Sequence, residues 1–500
     1  MSYLALVIEL MHACGNSRID GFTQLLQMQI RPALIALTLA GGIASLSLNA
    51  DNAEAQSGSQ DTALGAHIDS LANAALATTG APSATVAIVR HGRLVYANAY
   101  GSAKLNPTVA AKPDMAYGIG SISKQFAAAS VLMLQQEGKL SLNDPVSRFF
   151  PELTRSKDIT IRELLSHTSG YQDYWPQDYV PLFMQKPITP QAILDHWAKQ
   201  PLDFEPGTKW EYSNTNYVIA SMIVAKASGE PFFTFIQKRI LDPLGMKSAI
   251  DYDVLGPSSI QPIGYMRYAL GPLVPATPTG KGWIHGAGEL AMTASDLAKW
   301  DISIIRKSLL APASYHALET TMLLRDGVST GYGLGVDIGL FNGHRTISHT
   351  GEVAGFTAAN YVFPDDSAAV IVLTNQDAAP ASDVISEQII RTLFATQGES
   401  AKAHTGLARG IFTGLQKGTI DRSLFTADAN AYFSDAALKD FASSLDSLGV
   451  PVGFVQTSQS DRGGMIERSY RVTFHGSAIR VWTYEMPDGK LEQYQVAPIG

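Results

Sequence analysis

Apolar and polar positions divide the chain into stretches of different period. Over 66–79 apolar residues recur at helical spacing, with Ile68, Leu71, Ala74 and Leu76 on one side, which predicts an amphipathic helix. Two β-rich runs, 84–90 and 93–100, flank His91-Gly92 and predict a hairpin. A helical pattern then follows Gly120, through Phe126, Ala127, Val131, Leu132 and Leu134 to Gly138. From 140 to 300 the pattern is mainly helical with loops. Its helices fall at 161–167, 189–199 with Pro190 in the first turn, 216–226, 232–241, and 294–305 with Thr293 as N-cap. β-rich runs return at 332–338, 345–349, 358–363 and 368–374, the last two turned at Asp365-Asp366, before a helix at 383–395. β segments at both ends of a helical middle predict an α+β fold. One antiparallel sheet is flanked by helices and joined by a mainly helical lobe, with the site expected in the groove between them.

The pattern changes near 397. A polar, linker-like stretch at 397–406 precedes helices at 407–417 and 435–448 and alternating strands at 466–474, 477–485 and 490–497. The expected division is a main domain over 62–397 and a small α+β accessory domain over 405–500.

The N-terminus changes the picture of location. Arg31, an apolar run at 33–50 and Ala53-Glu-Ala55 follow one another in the order of a secretory signal peptide. Residues 1–55 are expected to be a signal region cleaved near Ala55, with Met28 as the true start and an uncleaved anchor as the alternative. The product is then periplasmic or secreted, with no membrane span after cleavage. The single cysteine, Cys14, falls in the removed part, so the mature chain has no thiol chemistry or disulfide. A net charge of −8 argues against nucleic-acid binding.

Chemistry concentrates in short motifs. Ser121-x-x-Lys124 opens the helix after Gly120, which places serine and lysine on one face, one turn apart. A neutral lysine amine there takes the serine proton, and a helix N-terminus favours developing negative charge. Tyr212-Ser-Asn214 precedes another helix; Tyr212 is a candidate general base or proton shuttle, and Asn214 a donor to a substrate amide. His349-Thr-Gly351 ends a β-run and leads into Glu352. At a strand edge Gly351 would let a substrate backbone approach, and His349 and Thr350 would meet a carboxylate. In Leu164-Leu-Ser-His-Thr-Ser-Gly170, His167 is expected to be structural, the alternative being the base of a serine triad. No Gly-x-Ser-x-Gly elbow supports a triad, and no His-Glu-x-x-His or Cys/His cluster has metal-ligand spacing.

Taken in order, Ser121-x-x-Lys124, Tyr212-x-Asn214 and His349-Thr-Gly351 resemble the serine β-lactamase and penicillin-binding protein superfamily. The resemblance covers about 62–397 and extends to the 164–170 motif, to Phe204-Glu-Pro-Gly and to Asp242-Pro-Leu-Gly-Met246. It is greatest to the branch holding class C β-lactamases, DD-peptidases and esterases. The resemblance implies that Ser121 is the nucleophile, Lys124 its base and Tyr212 the proton relay. It also implies an oxyanion hole of the Ser121 and Glu352 backbone N–H groups, substrate contacts from Asn214, His349, Thr350 and Gly351, and no metal or cofactor. The partner is then a small-molecule ester or peptide. Many β-lactamases carry lysine where this chain has His349, so the resemblance points to an esterase, carboxypeptidase or D-aminopeptidase before a class C-like β-lactamase. A catalytically silent envelope-binding protein on the same scaffold is the alternative from another class.

Overall fold

The predicted hairpin is the first half of the main sheet. The computed structural model describes residues 64–341, 343–394 and 399–498, so the signal region, Met28, Cys14 and the Ala55 cleavage site lie outside the described residues. Helix α1 spans 64–79 and buries Ile68, Ala72, Ala75 and Leu76, a face turned slightly from the one expected. Strands β1 (Ser83–Arg90) and β2 (Arg93–Leu105) pair antiparallel, and β3 (Thr108–Ala110) lies outside β2.

Helix α2 (Ser123–Gln136) is buried at every position from Ser123 to Leu134, as suits a helix that is apolar nearly all round. Helix α3 (Asn214–Ser228) ends at Gly229 with φ of 78°, a left-handed cap that glycine adopts without a Cβ clash. Helix α4 (Ala294–Arg306) starts as expected, with the Thr293 hydroxyl accepting the Asp296 N–H at 3.1 Å.

The second half of the sheet is β4 (Asp337–Phe341), β5 (His344–Val353), β6 (Phe356–Phe363) and β7 (Ala368–Thr374), followed by helix α5 (Ala381–Leu393). The order is β3-β2-β1-β7-β6-β5-β4, and the antiparallel β1–β7 pairing, Val86 opposite Val372, joins the two halves of the sheet. Alternate residues separate the two faces. Val86, Ile88, Val370 and Val372 pack with α1 and α5; Ala87, Val89, Ile371 and Leu373 face the large core that holds α2, α3 and α4.

Three local expectations are corrected. The run at 332–338 is not a strand: Gly331 and Gly335 take φ of 71° and 75°, a turn, and β4 begins only at Asp337. The helix at 189–199 is a short turn, Pro190–Ile193, continued by a wide turn over Leu194–Ala198. His349-Thr-Gly351 does not end its strand, because β5 continues to Val353, with Gly351 opposite Ala358.

The C-terminal region contains helices α6 (Glu399–Gln416) and α7 (Asp435–Asp446) and a four-stranded sheet. Its strands are β8 (Gly453–Arg462), β9 (Met465–Phe474), β10 (Ser477–Glu485) and β11 (Leu491–Pro498), in that order. The described part of the expected linker, 399–406, is helical. Ala408, Ile411, Phe412 and Leu415 recur at helical spacing and are buried, and this overrides Gly406, Gly410 and Gly414. The described residues fall within one compact unit. Among the described residues no single helix is long and apolar enough to cross a membrane.

Candidate active site

Ser121 sits in a tight turn, Gly120–Ile122, that runs directly into α2. The turn is held against β5. A Cβ on Gly120, where φ is 52°, would lie 2.5 Å from the Glu352 nitrogen. A Cβ on Gly351 would lie 1.9 Å from the Ile119 carbonyl oxygen and 3.3 Å from the Ser121 nitrogen. Glycine is required at both places because two backbones touch there. The space at Gly351 is therefore filled by the protein's own Ile119, not left for a substrate backbone as expected. The same contact brings the Ser121 and Glu352 backbone nitrogens onto adjoining segments.

Lys124 follows Ser121 by one helical turn and is 0% exposed. Its Nζ lies 2.9 Å from Ser121 Oγ, 2.9 Å from Asn214 Oδ1 and 2.8 Å from the Ala287 carbonyl oxygen. A neutral amine has two N–H bonds and one lone pair. Asn214 Oδ1 and the Ala287 carbonyl only accept, so they engage the two N–H bonds and leave the lone pair on the Ser121 hydroxyl. Burial lowers the Lys124 pKa to about 7, against the opposing pull of the Asp173 charge.

Burial pushes the Tyr212 pKa well above the ordinary phenol value, against a smaller lowering by the Ser121 hydroxyl. Tyr212 therefore stays protonated at neutral pH, whereas the Lys124 amine is lowered toward neutrality. Lys124 Nζ lies 4.8 Å from the Tyr212 ring centroid. Asn214 is the first residue of α3.

Along β5 the residues alternate, with Thr350 and Glu352 exposed and His349 and Gly351 buried. His349 Nδ1 lies 2.5 Å from the Thr350 carbonyl oxygen and its Nε2 lies 2.9 Å from the Tyr332 hydroxyl. The carbonyl can only accept, so Nδ1 carries the proton and Nε2 accepts from Tyr332. Burial first, and the Lys124 charge second, lower the His349 pKa to about 3. A neutral imidazole engaged at both nitrogens has no donor left for a substrate carboxylate, contrary to the expected contact.

His167 is fully buried, with its ring 4.3 Å from that of Tyr212. Its Nδ1 accepts the Ser213 N–H at 3.1 Å, and its Nε2 has no hydrogen-bond partner. Burial holds it neutral, far below its ordinary pKa. It is a packing residue beneath Tyr212 and not the base of a triad.

Two cavities share Ser121, Tyr212 and Glu352. The first, of about 990 Å³, has Trp175, Tyr179, Met266 and Tyr268 in its wall; the second, of about 630 Å³, is lined by Trp210, Asp337, His349 and Thr350. Asp173, Ala287 and Tyr332 complete the site and are absent from the expected set. Asp173 stands three residues beyond Gly170, close to a motif already singled out, and Tyr332 lies in a glycine-rich run. Ala287 acts through its backbone carbonyl, for which side-chain identity carries no signal.

A sequence model of the Beta-lactamase family matches residues 68–392, the span that carries all of these groups. The chain belongs to the beta-lactamase family. Within the family it is 29% identical over 293 residues to the putative penicillin-binding protein PbpX of Bacillus subtilis, covering 59% of this chain and 70% of that protein. It is 26% identical over 311 residues to a D-aminopeptidase of Brucella anthropi, covering 61% of this chain and 58% of the relative. A D-stereospecific amidohydrolase from Streptomyces sp. superposes with a TM-score of 0.56 at 26% identity, over 67% of this chain and 99% of that one. An octameric penicillin-binding protein homologue from Pyrococcus abyssi shares the fold over 87% of this chain and 96% of its own, with a TM-score of 0.59 at 22% identity.

Proposed function

We propose that this family member is an exported serine hydrolase that forms an acyl-enzyme on Ser121, and that its substrate is a D-amino-acid amide or short peptide with a free amino group. The observation that carries the proposal is the fully buried Lys124 amine, with a pKa of about 7, 2.9 Å from Ser121 Oγ. As Ser121 Oγ bonds to the carbonyl carbon, its proton passes to Lys124 Nζ and the carbonyl electron pair moves onto oxygen. The backbone N–H groups of Ser121 and Glu352 hold that oxyanion. Its collapse breaks the bond to the leaving amine, which takes a proton from Tyr212, and Tyr212 is reprotonated from Lys124. Water repeats the sequence on the acyl-enzyme, releasing acid and free serine.

The substrate class is supported by charge. His349 offers no donor to a carboxylate. Asp178, Glu211, Glu352 and Asp377 line the larger cavity, where Arg267 is the one cationic side chain among the lining residues. Such a cavity favours an ammonium over a carboxylate. The relatives named as a D-aminopeptidase and a D-stereospecific amidohydrolase agree with this choice. Export is supported by the basic, apolar and small-residue order at the N-terminus.

The test is a kcat/KM panel: a D-amino-acid anilide, its N-acetyl derivative, a D-Ala-D-Ala peptide and a chromogenic cephalosporin. The free-amine anilide is expected to lead by at least about tenfold, or ~1.4 kcal/mol. Preference for the cephalosporin or for the carboxylate-bearing peptide contradicts the proposed substrate class.

A further inference from the structure

Asn214 is useful to Lys124 only if its side-chain oxygen, and not its nitrogen, faces the amine. Nothing in the covalent structure of an amide chooses between these, because the two ends have the same shape. The choice is made by Asp173, which lies in the loop after the 164–170 motif. Its Oδ2 accepts the Asn214 Nδ2–H at 3.2 Å, and its Oδ1 accepts the Asn214 backbone N–H at 3.0 Å and the Trp175 N–H at 3.1 Å. A carboxylate only accepts, so Asn214 must turn its NH₂ toward Asp173 and its oxygen toward Lys124. Reversed, the amide would present N–H to Lys124 Nζ and compete with Ser121 for the lysine lone pair.

We infer that Asp173 is a positioning residue for acylation: through Asn214 it aims the lone pair of Lys124 at the Ser121 hydroxyl. The inference rests on the acyl-enzyme reading above and adds a residue that the three family motifs do not contain. Asp173 also acts on Lys124 through space. The groups around Lys124 are the Ser121 hydroxyl, the rings of Tyr212 and Tyr217, the neutral His167 and His349, and the charge of Asp173. Of these, Asp173 is the carboxylate that favours the protonated lysine. Around Asp173 itself lie Glu211, Tyr174 and Tyr212.

The two effects are separated by exchanging the charges. In Asp173→Asn the new amide places its own N–H against Asn214, which reverses and blocks the lone pair. Acylation is expected to fall about 100-fold, and the acid limb of its pH profile is expected to move to lower pH, since the charge that favours protonated lysine is gone. In Asp173→Asn with Asn214→Asp, the pair is again complementary and a carboxylate oxygen faces Lys124. Acylation at high pH is expected to recover at least about tenfold over the single variant, with the limb now above that of the wild type. The double variant also restores the hydrogen bonds at the start of α3, so a single variant that fails to fold does not remove the test. An unmoved limb in a folded single variant, or a double variant no more active than the single, overturns the inference. Ser121→Ala and wild type run in parallel distinguish the failures: an unacylated wild type overturns the acyl-enzyme reading as well, whereas an acylated wild type with failed exchange overturns the role of Asp173 alone.

Discussion

Burial lowers the Lys124 pKa to about 7, so its neutral form is populated near neutral pH. In the proposed mechanism the neutral amine is the form that accepts the Ser121 proton. Acylation is therefore expected to rise with pH through about 7 and level off above it, checked by kcat/KM from pH 5 to 9. Lys124→Met should lower kcat/KM by at least about 10³-fold, the scale of a lost general base. Its effect on stability has the opposite sign. Between about pH 7 and 10.5 the unfolded lysine is protonated and the folded one is not, so the wild type gains stability as pH rises through that window. Lys124→Met, which keeps an apolar stem in a fully buried place, is expected to melt higher than wild type at pH 6, with the difference shrinking toward pH 10. Tyr212 gives a sharper separation by substrate. Tyr212→Phe should slow amide hydrolysis about 10²-fold or more but affect a nitrophenyl ester less, because a nitrophenolate leaves without a proton.

At the scale of elements, the decisive contact is between the Ser121 turn and β5. Gly351→Ala puts a methyl group 1.9 Å from the Ile119 carbonyl oxygen, so one backbone must move. A loss of roughly 1–3 kcal/mol in stability is expected, together with loss of acylation, checked by thermal melting and probe labelling. The elements themselves were largely legible. The β-rich runs at 84–90 and 368–374 match β1 and β7, and the Thr293 cap starts α4 where its hydroxyl predicts. Ser121 and Lys124 were legible because both stand within one helix turn. Asp173 and Tyr332 were not, because their roles depend on loops brought beside α3 and β5 by tertiary packing. His349 was legible as a site residue but its contact was not, since only the fold reveals Tyr332 behind its ring. The missed strand β8 carries Gln456, Thr457 and Gln459 at the edge of its sheet, and polar edge positions blur the period of two.

At the scale of the molecule, the C-terminal region has a hydrophobic core of its own, in which Phe412, Val472 and Val481 are fully buried. The large core beneath Ser121 shares none of these residues. Phe412→Ala should destabilise this region by about 3–5 kcal/mol, read as a lowered transition in calorimetry, with the acylation rate of Ser121 unchanged. A matching fall in both would make the two cores one cooperative unit. The arrangement of the main sheet, with β1 and β7 joined from opposite ends of the domain, holds the Ser121 turn between the sheet and the helical lobe. Everything proposed for the molecule requires a covalent bond to one oxygen atom. The most direct measurement is intact-mass spectrometry of the protein quenched during turnover of a D-amino-acid ester, followed by peptide mapping. A single acyl mass increment on the peptide containing Ser121, absent in Ser121→Ala, is the predicted result. No adduct with any acylating substrate on folded protein, or an adduct that persists in Ser121→Ala, would contradict it.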